Sequence, residues 1–131
     1  MSTLTLTVHA TNLLTANQRL HWARKAAITR TLRHTAALSA RAQDVGTFER
    51  ARIVVYVSWP TRHRRDVANV SLTVKAFVDG LVDAGVLPDD DDRHLIGPDL
   101  RVTDELSGLK GVTRLRFEIE ATPPPSQETS A

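Results

Sequence analysis

Residues 89–92 are four consecutive aspartates, set after Pro88 and before Arg93 and His94 in the stretch VLPDDDDRHL. Like charges side by side repel, so the run costs stability unless water or a cation offsets it. It is therefore either a solvated turn or part of a set of ligands for a divalent cation. Magnesium is hard, prefers oxygen, and keeps several waters beside one or two protein carboxylates. Phosphodiester hydrolysis needs such an ion to orient and deprotonate water and to stabilise charge developing on the phosphate. Two other residues suit the same chemistry. Asp66 follows the basic stretch TRHRR, and Lys75 in VSLTVKAFVDG can add its charge to the stabilisation. A plainer account exists for each. Lys75 stands four residues before Asp79, where a surface helical ion pair is worth only about 0.3–0.5 kcal/mol, and His94 also suits a loop or partly buried position. A calcium loop is excluded, since the glycine wanted at its sixth position is His94 here. There is no glycine-rich phosphate loop, and with no cysteine there is neither a disulfide nor a cysteine zinc site.

The net charge of +2 conceals an asymmetry. Residues 1–65 carry Lys25 and ten arginines against Asp44 and Glu49, a balance of +9, and the remainder carries −7. A basic face and an acidic pocket in one molecule would suit nucleic acid handled with a metal ion. Arg19, Arg24 and Lys25 surround Trp22, whose indole either packs beneath a helix start or stacks on a sugar or unpaired base. Arg62, Arg64 and Arg65 form the second basic group.

These residues need elements to hold them. Residues 3–10 alternate Leu4, Leu6 and Val8 with threonines, the period of a half-buried strand. Residues 19–43 lack glycine and proline and predict a long helix, with Leu20, Ala27, Ile28, Leu32, Thr35 and Leu38 inward and Arg19, Arg30, Arg33 and Arg41 outward. RIVVYVSWP, residues 52–60, reads as a central strand covered on both faces. Val70, Val74, Phe77, Val78, Leu81 and Val82 form an apolar helical stripe over 70–85, ended by Gly85 and Pro88. Residues 100–106 and 112–121 alternate as strands, and Gly108–Gly111 between them suits a hairpin turn. The order β-α-β-α-β-β predicts one α+β domain, a mixed sheet with helices packed on it, over residues 1–120. TPPPSQETSA closes the chain as an expected disordered tail, 121–131. The stretch MSTLTLTVHATNLL lacks a basic segment followed by an apolar core and a small-residue cleavage site, and no apolar run approaches a membrane span, so a cytoplasmic soluble protein is expected. Asp66 and the Asp89–Asp90 pair flank the 70–85 helix. They share a pocket only if that helix is short, or its end packs near the end of the 52–60 strand, or the pocket spans a dimer interface.

Four blocks, ANQRLHWARKA, RHRRDVAN, KAFVDGLVDAG and VLPDDDDRH, resemble in order and spacing the RusA family of Holliday junction resolvases, especially bacteriophage and prophage versions. The resemblance covers about residues 3–120, and the second and third blocks are its most specific part. It implies a homodimeric, magnesium-dependent endonuclease that makes paired nicks in four-way DNA. Asp66 matches the first catalytic aspartate and Asp90 the third, with Asp89 beside it on the metal. Asp79 matches an acidic helix residue. Lys75 matches the helix lysine with about three residues inserted after Asn69. The RDxDN signature reads Arg65-Asp66-Val67-Ala68-Asn69, so Ala68 stands where a second aspartate is expected. One carboxylate fewer weakens a magnesium site. Asp91, Asp92 or His94, the last better suited to manganese, or a water held by Asn69, would have to replace it.

Overall fold

Strand β2 (Ala51–Ser58) lies inside a four-stranded sheet of order β1-β4-β2-β3, with β1 at Ser2–His9, β3 at Leu95–Val102 and β4 at Val112–Ala121. This computed structural model describes residues 1–15, 18–63 and 65–123. The predicted tail therefore lies outside the described residues from position 124 onward. Its first residues are tied down, because Ala121 closes β4, Thr122 N–H donates to Arg50 O at 3.0 Å and Arg50 Nη1 donates to Pro123 O at 2.8 Å.

β4 pairs antiparallel with both β1 and β2, whereas β3 runs parallel to β2. The expected hairpin between the last two strands is thus not formed: β2 separates them. A parallel pair needs a crossover of a dozen or more residues, and helix α2 (Ser71–Asp83) supplies it between β2 and β3. β3 also begins at Leu95, well before the predicted residue 100. Gly97 and Pro98 disguised its first half. Proline is tolerated there because β3 is an edge strand with one side unpaired.

One face of the sheet is apolar. Leu4, Leu6 and Val8 of β1, Leu115, Phe117 and Ile119 of β4, and Ile53, Val55 and Val57 of β2 share one core with both helices. Phe77 of α2 meets Phe117 edge-on, with centroids 6.2 Å apart, a geometry worth about 0.5–1.5 kcal/mol beyond area burial. The opposite face is not covered by the helices. Arg52 is exposed and Val54 and Tyr56 are half-buried, so β2 is central without being enclosed on both sides.

Helix α1 (Trp22–Ala42) starts three residues later than its composition suggests, after a His21 cap whose Nδ1 accepts the Ala23 N–H at 3.2 Å. Its core face is Ile28, Leu32, Ala36, Ala37 and Ala40. Ala27 and Leu38, placed inward by the sequence pattern, are exposed, and Leu20 precedes the helix. The small residues have a reason. A Cβ on Gly80 of α2 would lie 2.3 Å from Arg33 O and 2.8 Å from Ala36 Cβ, so the helices cross with backbone against backbone.

Thr73 performs a second structural task inside the apolar stripe of α2. It is fully buried, accepts the Leu14 N–H and donates its hydroxyl to Leu14 O, both at 2.8 Å. That pair anchors the connection between β1 and α1. Thr73→Val keeps the shape but leaves both Leu14 groups unpaired, a loss of about 1–3 kcal/mol in a chemical denaturation curve. Thr73→Ser retains most of it. Equal stability of the valine variant would show that the connection is held elsewhere.

Candidate metal and nucleic-acid site

Trp59 directly follows β2 and begins the turn that presents Asp66. The Arg65 guanidinium lies over its ring, 5.0 Å from the centroid, and also donates to Thr61 O at 2.9 Å and to Thr61 Oγ1 at 2.8 Å. Arg65, expected to hold phosphate, is instead engaged in shaping the turn. The next residue, Asp66, is exposed, and its Oδ1 accepts the Ala68 N–H at 3.0 Å. This is capping by a short carboxylate at the start of a helical segment, here the 3-10 turn Val67–Val70 that leads directly into α2. Ala68 itself is exposed, so a methyl group faces solvent where the resemblance calls for a carboxylate.

Lys75 lies in the first half of α2. Its ammonium donates to Asp79 Oδ1 at 2.8 Å and also to Asp90 Oδ2. The surface ion pair with Asp79 therefore exists, but it is half of a bridge. From Asp83 back to Lys75 is about 12 Å along the helix axis, and the chain covers that return between Asp83 and Asp90. Burial of Val86 and Leu87 drives it. Two backbone bonds clamp it: Phe48 N–H to Val86 O at 2.8 Å and Ala51 N–H to His94 O at 2.9 Å. His94 Nδ1 adds a 2.9 Å contact to Glu49 O. His94 thus serves as a loop anchor, within 3.9 Å of Asp91 through Nε2.

Hydrogen bonding to Lys75 holds the Asp90 carboxyl below the usual carboxylate range, against an opposing desolvation. The bond to Asp79, followed by that to Asp90, raises Lys75 above the ordinary lysine value. Both groups stay charged at neutral pH. Two of the other aspartates of the run are engaged locally. Asp89 Oδ1 accepts the Asp90 N–H at 2.7 Å, Asp91 Oδ1 accepts the Arg93 N–H at 3.1 Å, and Asp92 is exposed.

Among the described residues no three of His, Asp and Glu are gathered closely enough to hold an ion. Asp66, Asp89 and Asp90 are therefore not a ready-made cage, and neither are Asp91, Asp92 and His94 a substitute for it. What fits a cation is the pair Asp79 and Asp90, which already share one, the Lys75 ammonium. Beside this pair a cleft of about 340 Å³ opens between α2 and β3, lined by Ser71, Lys75, Asp90, Gly97, Pro98 and Leu100 among others. Gly97 is required where it stands. Its φ is 101°, and a Cβ would come within 2.7 Å of Ile53 O.

The basic residues divide into used and free groups. Arg19 and Lys25 line a shallow cavity of about 130 Å³ with Gln18 and Leu72, which places them at the N-terminal end of α2, the end that Asp66 leads into. Trp22 is 76% exposed, which eliminates packing beneath the helix start. Arg24 and Arg62 are also exposed. Arg64 lies outside the described residues, as do Ala16 and Asn17 of the first block. Arg33, expected on the outward side of α1, instead forms a two-pronged bond with Asp83 of α2, at 2.9 and 2.8 Å, so it ties the helices together and is not a free phosphate contact. Arg30, His34 and Arg41 line the adjoining cleft.

Sequence reasoning missed Trp59 as the platform for Arg65 and Asp83 as the partner of Arg33. An aromatic residue at the end of a strand, next to an arginine-rich turn, was the available signal for the first. The second depends on the register between two helices and had none. Among the described residues no helix is long and apolar enough to cross a membrane. Compared with protein-family models and with curated proteins, the chain matches none.

Proposed function

We propose that the chain is a metal-dependent endonuclease acting on branched DNA, resolving four-way junctions by paired nicks as the RusA resemblance implies, in the cytoplasm and as a homodimer. One observation carries the reading. The return of the chain over α2 brings Asp90 onto Lys75, on the same helix that Asp66 introduces, with Arg19 and Lys25 at its N-terminal end. Arg19 and Lys25, Asp66, and Asp90 thus come from three stretches to the one helix that carries Lys75.

In this reading Asp90 would be the main residue holding magnesium or manganese, with Asp66 and Asp89 as the further carboxylates that would have to be brought to it. The ion would supply an activated water and neutralise charge on the phosphate. The chain supplies the rest. Arg19, Arg24, Lys25, Arg62 and Arg64 attract the backbone without reading sequence, which makes affinity fall steeply with salt. Trp22 offers a face for an unpaired base at the branch. Lys75 would add its positive charge beside the scissile phosphate.

A second reading has its own support: Ala68 lacks the signature carboxylate and Lys75 already neutralises Asp90, as expected of a catalytically weakened junction-binding protein. A synthetic four-way junction, incubated with the protein in magnesium, manganese or chelator, separates the two. Symmetric nicking that requires metal is the expected result. Binding in all three conditions without nicking establishes the second reading, and preferential cutting of flaps or single strands replaces both with a different nuclease.

A further inference from the structure

The outward face of the sheet carries a charge pattern that is complementary to itself. Pairing registers place side chains across the strands in rows. One row is Thr5 of β1, Arg116 of β4, Tyr56 of β2 and Arg101 of β3, and the next is Thr3, Glu118, Val54 and Asp99. Each strand therefore carries a residue in the first row and its complement two positions away in the second. On β4 these are Arg116 and Glu118, on β3 Arg101 and Asp99, and on β2 the apolar pair Tyr56 and Val54. Both helices pack on the other face, and Arg116, Arg101 and Asp99 are exposed.

A two-fold axis lying in the plane of this face, between the rows and perpendicular to the strands, returns each strand onto its own copy with direction reversed. Arg116 then faces Glu118 of a second molecule, Arg101 faces Asp99, and Tyr56 meets Val54 at the centre. A closed isologous contact requires such a self-complementary surface, and stacked sheets with nearly aligned strands are a standard packing. Arg116 is already held in place, with its guanidinium carbon 4.7 Å from the Tyr56 ring centroid and its Nε 3.5 Å from Glu118 Oε1 of the same chain, so docking extends this half-exposed pair across the axis.

We propose that this face is the homodimer interface: a second copy of the chain docks sheet to sheet, with the helices outermost. The proposal gives a location to the dimer in the functional reading above, but it stands on sheet geometry and is tested by mass, not cleavage. A footprint of four strands by the length of β4 amounts to roughly 500 Å² per copy. The total of about 1,000 Å² is at the low end for specific association, so the dimer should dissociate on dilution and in high salt.

Sedimentation equilibrium of the full chain should show a mass of twice 14.5 kDa at high protein concentration and low salt. Arg116→Glu and Glu118→Arg should each return it to the monomer mass with unchanged circular dichroism. An equimolar mixture of the two variants should recover the dimer, because each then offers the other its complement across the axis. That recovery cannot come from contacts within one chain. Wild-type chain that stays monomeric throughout, single variants that still dimerise, or a mixture that stays monomeric each overturn the proposal. A monomer whose single-strand DNA affinity falls tenfold or more on Tyr56→Ala overturns it in favour of a nucleic-acid platform. Loss of the dimer in variants that still nick DNA supports the interface and leaves the nuclease reading intact, whereas a normal dimer that never nicks supports the interface and removes that reading.

Discussion

Asp66→Asn and Asp90→Asn should each lower the initial rate of junction nicking at least about a hundredfold, equivalent to about 2.7 kcal/mol on the barrier, while junction affinity measured in chelator changes about twofold or less. The substitutions remove one negative charge each and almost nothing else. Asparagine caps a helical turn as well as aspartate does, so the bond between residue 66 and the Ala68 N–H survives and the 3-10 turn stays in place. At position 90 the change loses the charge-assisted contact with Lys75, which at a partly exposed site amounts to about 0.2–1 kcal/mol of stability. That is too little to unfold the chain. Affinity is expected to hold because the arginines and Lys25 supply it. Nicking rates on denaturing gels, with a thermal melt of each variant, decide the outcome. A variant that cuts at the wild-type rate removes its residue from the site. If both do so, the convergence on Lys75 is an ion-pair network and nothing more.

Gly80→Ala should destabilise the fold by about 3 kcal/mol, lowering the melting temperature by about 10 °C. The sign is what makes the test informative. In an exposed helix, replacing glycine by alanine stabilises by up to about 1 kcal/mol. Here the added methyl would sit 2.3 Å from a backbone oxygen of α1, which cannot rotate away as a flexible side chain would. The helices must separate, and with them the Arg33–Asp83 clamp. Gly85 provides the control. Nothing lies within 4 Å of its would-be Cβ, and its φ of 79° leaves only the left-handed backbone penalty, about 1 kcal/mol for alanine. Equal melting temperatures for the two variants would mean that the helices do not cross this closely.

Much of the architecture is written in local periodicity. Leu4, Leu6 and Val8 alternate because one face of β1 is dry, and Val70, Val74, Phe77, Val78 and Leu81 recur at helical spacing because one side of α2 meets the sheet. Solvent imposes these patterns residue by residue, so they survive without knowledge of the partner. The same holds for Lys75 as the partner of Asp79, a short-range event in the chain. Strand pairing is different. β3 and β4 alternate as hairpin arms would, yet β2 lies between them, because pairing depends on which exposed edge is available once α2 has carried the chain across. Burial of small residues is equally non-local. Ala36, Gly80 and Thr73 look indifferent in sequence and become fixed only where two helices and the Leu14 backbone press on them.

The sequence by itself determined the identity of most elements, the charge division between the halves, and which residues have side chains of the type that metal and phosphate chemistry needs. Only the tertiary structure decided which of these meet. It set Asp90 on Lys75, withdrew Arg33 and Arg65 into internal contacts, and left Asp66, Asp89 and Asp90 without a ready-made cage. The reason is physical: chemistry resides in side-chain type, which each residue carries alone, whereas proximity between distant residues is set by how buried surfaces pack.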